Sequence, residues 1–135
     1  MKIYVIAYFA TLIAFLIIDG IWLGVIAKNF YASQLGDLMR KPVLFAPAAV
    51  FYLFYAAGIV VLVIRPNLPA LNFGEVAFYG AVLGFLAYGT YDVTNWATLK
   101  NWPPLMSLVD VIWGTALTSL VAIVGAGAAK ITLSH

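Results

Sequence analysis

Four long apolar stretches, about Ile3–Ala27, Val43–Ile64, Phe73–Leu99 and Pro104–Ala129, take up most of this 135-residue chain. Each reaches the roughly 20 residues that a helix needs to cross the hydrocarbon of a bilayer. The surface chemistry agrees. Charged residues make up only 9% and hydrophobic ones 65%, against about 25% charged in a soluble domain. The expected fold is therefore all-α: a four-helix transmembrane bundle forming a single integral membrane domain over residues 1–135. The first stretch begins after Met-Lys as a secretory leader would. It is too long for a leader's apolar region and contains Asp19, so it reads as a retained helix.

The one substantial polar connection is Lys28–Pro42. Tyr31, Leu35, Leu38 and Met39 recur there with helical spacing opposite Asn29, Asp37 and Arg40, the pattern of a short interfacial helix. It would be either a lid or a passive linker between helices one and two. Pro47 falls in the first turns of the second stretch, where proline is best tolerated. Pro66 and Pro69 close that stretch, and Pro103 or Pro104 opens the last. Gly80 and Gly84, with Gly114, Thr118, Ala122 and Ala126, form ridges of small residues for close helix packing, within one chain or between two.

Several chemistries are excluded by what is missing. There is no cysteine, and the single histidine is the terminal His135. Thiolate, disulfide, Ser-His-Asp and histidine-ligated metal chemistry are thus not expected. A net charge of +2, carried by scattered bases, gives no nucleic-acid surface.

The acids are the informative residues. Asp19, Asp92 and Asp110 lie inside apolar stretches, where each costs about 2.5–3.5 kcal/mol at a helix centre on insertion scales. Four crossings place both termini on one side and the turns 28–42 and 100–103 on the other. Asp19 and Asp92 then lie about two turns before the turn side, and Asp110 about two turns after it. All three are expected at one depth. Lys28, Arg40, Lys41 and Lys100 on the turn side, against Lys2, Arg65 and Lys130 opposite, favour a cytoplasmic turn side with the termini outside.

No lysine or arginine occurs at that depth, so one or more of the carboxyls is expected to be carried protonated. Aromatic donors are placed to satisfy them. Trp22 and Trp113 each follow an aspartate by three residues, on the same helix face. Tyr88, Tyr91, Asn95 and Trp96 surround Asp92. The expected ligand-binding set is thus Asp19, Trp22, Tyr88, Tyr91, Asp92, Asn95, Trp96, Asp110 and Trp113. The spacing of the acids matches no metal motif, no metal site is assigned, and no cofactor is required.

The segments Asp-Gly-Ile-Trp-Leu-Gly, Tyr-Asp-Val-Thr-Asn-Trp-Ala-Thr-Leu and Trp-Pro-(x)6-Asp-Val-Ile-Trp-Gly resemble a bacterial family of predicted membrane proteins, domain of unknown function 2177. The resemblance covers nearly the whole chain. It implies four membrane helices in a bacterial inner membrane, where the charge bias would make the termini periplasmic, and supplies no activity.

Three functions fit these residues. The first is binding or transport of protons or of a small cationic or amphipathic ligand, since intramembrane acids mark such pathways and aromatic faces attract organic cations. The second is an intramembrane lipid- or isoprenoid-modifying enzyme, with Asp92, Asp19 and Asp110 as acids and bases. The third is an accessory structural subunit of a larger membrane complex. The expected partners are the lipid bilayer and a homodimer or such a complex.

Overall fold

The computed structural model describes residues 1–134, and His135 lies outside them. Five α-helices follow one another: α1 Lys2–Ile21, α2 Lys28–Leu35, α3 Phe45–Ile59, α4 Phe73–Thr98 and α5 Pro104–Leu133. α1 continues as a π-helical turn, Trp22–Ile26. α3 continues through a second one, Val60–Ile64, into a short 3-10 turn, Arg65–Asn67. Four of these units are long and apolar enough to cross a membrane: Lys2–Ile26, Phe45–Asn67, Phe73–Thr98 and Pro104–Leu133. The shorter α2 lies between the first and second.

Local chemistry sets the ends. Asn72 caps α4 by accepting the backbone N–H of Glu75 at 3.2 Å, which supplies a partner for one of the helix's unpaired donors. α5 begins with Pro104 at its first position, where a missing N–H costs nothing. Between them Asn101 takes a positive φ of 62°, a conformation that asparagine tolerates better than most residues. α2 stops at Leu35 because Gly36 turns the chain with a φ of 53°. Leu38 and Met39, expected on the apolar face of one interfacial helix, therefore fall in and after a separate 3-10 turn. At the far end α5 runs past the apolar stretch to Leu133, since Lys130 does not interrupt a helix.

α5 is the central helix, packed against α4, α1 and the π-helical turn after α3. Its partnership with α4 is the closest, and the small-residue ridges make it so. A Cβ on Gly84 would lie 2.4 Å from the carbonyl oxygen of Gly114. One on Gly114 would lie 2.1 Å from the Tyr88 ring. Thr118, Ala122 and Ala126 are buried along the same line. These ridges are consumed inside one chain, so they are not free to join two copies, as the sequence had allowed. Ser119 adds a hydrogen bond to the carbonyl of Ala77 at 2.8 Å, and Tyr8 ties α1 to the Leu53 carbonyl of α3 at 3.0 Å.

Candidate functional site

Near the turn side of the bundle, helices α1, α3, α4 and α5 and the overlying α2 each contribute a polar side chain to one layer. Asp19, on the last full turn of α1, is 5% exposed. Its Oδ1 accepts the indole N–H of Trp113 from α5 at 3.0 Å, and its Oδ2 accepts the Tyr52 hydroxyl from α3 at 2.9 Å. A carboxylate only accepts hydrogen bonds, and both of its oxygens are supplied.

The second half of the layer is built from α2. Tyr31, buried beneath that helix, donates to Asp110 Oδ1 at 2.8 Å and accepts the indole N–H of Trp22 at 3.0 Å. Burial pushes the Tyr31 hydroxyl above its ordinary range; the Trp22 hydrogen bond opposes this, and Asp110 reinforces it. Trp22 and Trp113 stack with centroids 4.2 Å apart and planes 9° from parallel. The two indoles thus join the Asp19 half to the Asp110 half.

Asp92 completes the layer from α4. It is fully buried, and neither carboxyl oxygen meets a donor from elsewhere in the protein. The neighbouring acid in the layer is Asp110 of α5. Two carboxyl groups side by side can bond to each other only if one of them carries a proton. The backbone at this point is pinned separately. Trp102 donates to Ser107 at 2.8 Å, and Ser107 donates to the Asp92 carbonyl at 2.8 Å. None of the hydrogen-bond donors to the three acids is a basic residue.

The nine residues expected from sequence are only partly brought together. Asp19, Trp22, Asp92, Asp110 and Trp113 meet in the layer. The pairing within helices does not hold, because side chains three residues apart project in parallel and meet a facing helix instead. Trp113 serves Asp19, and Trp22 serves Tyr31. Tyr88 does not bond an acid, since its ring is spent covering Gly114. Tyr91 and Trp96 face outward, 53% and 52% exposed. Tyr91 meets the edge of Trp102 at 5.8 Å, and Asn95 is half-buried.

The phenols that bond the acids are Tyr31 and Tyr52, neither of them in the expected set. Tyr31 carried a signal, as an aromatic on the apolar face of an interfacial helix. Tyr52 sat in an aromatic band with no acid near it in sequence. Among the described residues no three acidic or histidine side chains converge on a point able to hold a metal ion.

The sequence model of a family described as predicted membrane protein, domain of unknown function 2177, matches residues 4–127. No curated protein and no solved structure matches the chain.

Proposed function

Since the chain belongs to this family of predicted membrane proteins, whose description specifies no activity, we propose a function from the chemistry of the layer. The protein binds protons, and with them a small cationic or amphipathic ligand, at its acidic and aromatic layer within the membrane. The observation that supports this reading is Asp92, fully buried beside Asp110, with no hydrogen-bond partner for either carboxyl oxygen among the described residues. A carboxyl so enclosed is neutral at low cost and ionised at a high one. Its proton is the species that the site holds and releases.

Asp110, half-buried and bonded to Tyr31, is the member of the pair nearer the outside. Movement of α2 breaks the Tyr31 bond and opens Asp110 first, which makes α2 the lid of the site. The charge bias favours a cytoplasmic lid, in a bacterial inner membrane.

Infrared spectroscopy of the protein in lipid nanodiscs tests the reading. A protonated-carboxyl C=O band is expected near neutral pH, and Asp92→Asn or Asp110→Asn should abolish it. A spectrum without that band at neutral pH would remove the proton site.

The bonds from α2, α3 and α5 to the acids also favour a second reading, a purely structural layer in an accessory subunit. The two readings part on exchange. A structural pair keeps its proton when the external pH is stepped, and a binding site exchanges it. The lipid-modifying enzyme has less support, because the fully buried Asp92 offers a substrate no contact.

A further inference from the structure

Trp102 lies in the turn that joins α4 to α5 and is buried. Its indole N–H donates to Ser107 Oγ at 2.8 Å, and Ser107, in the first turn of α5, donates to the Asp92 carbonyl at 2.8 Å. A carbonyl inside a helix already accepts a helical N–H, so the serine takes its second lone pair. The bond fixes α5 against α4 at the residue that carries the buried carboxyl. On its other side Trp102 packs with Ala27, Tyr31 and Met106 in a small core separate from the main one, with Phe30 and Leu35 of α2 against it.

α2 therefore bears on both acids of the pair. It holds Asp110 directly, through the Tyr31 hydroxyl at 2.8 Å, and it reaches Asp92 by way of Trp102 and Ser107. We infer that Trp102 is a positioning residue of the proton site, and that the α4–α5 turn opens together with α2 as one lid over Asp92 and Asp110. The inference rests on the proposed proton-binding function and extends the lid assigned there to α2 alone. Lifting α2 by itself would strip the apolar cover from the Trp102 ring. Packing thus ties the turn to α2, and two buried hydrogen bonds tie the turn to Asp92.

Infrared spectroscopy of the whole protein in nanodiscs reads exchange of the carboxyl proton, as the deuterium shift of the protonated C=O band after transfer to D2O. Ser107→Ala should quicken that shift at least tenfold. Trp102→Phe, which keeps a ring and removes the N–H, should quicken it at least threefold. Ser119→Ala is the matched control: it removes another serine-to-carbonyl bond from α5 to α4, the one to Ala77 at 2.8 Å, away from the acids. It should leave the rate within twofold. Equal effects of the two serines, or an unchanged rate in Ser107→Ala, overturn the positioning role.

The joint lid is read by hydrogen exchange at the Trp102 indole N–H, followed by NMR in the wild type and in Tyr31→Phe. Tyr31→Phe alters no atom of the Trp102–Ser107–Asp92 chain. It should nonetheless quicken exchange at that indole by the same factor, within threefold, as at the backbone amides of Lys28–Leu35. Quickened amides beside an unmoved indole would mean that α2 lifts alone, and would overturn the joint lid. A carboxyl band missing from the unaltered protein would remove the proton site and the positioning role with it, whereas the joint movement is read without that band.

Discussion

Trp22 and Trp113 lie face to face, 4.2 Å between centroids and 9° from parallel, and each indole N–H is turned to a different half of the acidic layer. Neither indole bonds the aspartate of its own helix. The stack therefore does two things at once: it packs the end of α1 against α5, and it links the Asp19 half of the layer to the Tyr31–Asp110 half.

A double-mutant cycle on this stack should separate packing from hydrogen bonding. Trp113→Phe keeps a ring but removes the donor to Asp19 Oδ1, and leaving a buried acceptor unpaired costs about 1–3 kcal/mol. Trp22→Phe should cost a similar amount through Tyr31. The coupling between the two, read from unfolding in mixed micelles, should be about 0.5–1.5 kcal/mol for an aromatic pair. Strict additivity would mean that the stack contributes nothing of its own.

Tyr31→Phe should loosen α2. It removes the donor to Asp110 and the acceptor for Trp22 together, a loss of about 1–3 kcal/mol. Amide exchange across Lys28–Leu35 should quicken more than that within α4 or α5. The pH dependence has a definite sign. Burial holds the Tyr31 hydroxyl above the ordinary tyrosine range, so only the unfolded chain releases that proton near pH 10. The advantage of the wild type over Tyr31→Phe should be constant below about pH 10 and shrink at higher pH. A difference that grows with alkalinity would contradict the buried placement.

The helices were legible in the sequence because long apolar runs admit few other solutions, and Asp19, Asp92 and Asp110 stood out because acids are rare in such runs. Which group bonds which acid was not legible. Tyr52 reaches Asp19 from another helix, 33 residues away, and the rotation of a helix is set by packing that its own sequence does not display. Tyr88 shows the same limit. Its place beside Asp92 in sequence suggested a donor, yet the missing side chain of Gly114 makes the space in which its ring lies. Local spacing identified the cast, and helix packing assigned the contacts.

Gly114→Ala should be among the most damaging small substitutions in the chain. The added methyl would meet the Tyr88 ring at 2.1 Å, and overpacking of this kind costs typically 1–3 kcal/mol. Gly89→Ala supplies the control on α4, since a Cβ there meets nothing within 4 Å. It should be neutral or slightly stabilising, as alanine is the better helix former. Thermal unfolding in detergent compares the two, and equal midpoints would contradict the close approach of α4 and α5.

The proposed sharing of a proton by Asp92 and Asp110 is also open to a stability test. If Asp92 and Asp110 hold one proton between them, an asparagine at 92 replaces the O–H donor with an N–H donor of similar shape. Asp92→Asn should then lie within about 1 kcal/mol of the wild type, because the exchange of one donor for another is close to neutral. Asp92→Ala removes the donor and leaves a gap in a fully buried site, at a cost of about 1–3 kcal/mol from the unpaired Asp110 oxygen alone. Were both carboxyls instead ionised, removing the charge at Asp92 would relieve repulsion between buried like charges. Asn and Ala would then both be stabilising. The ordering of the two variants, measured by unfolding at neutral pH, therefore reads the protonation of the pair without any spectroscopic assignment.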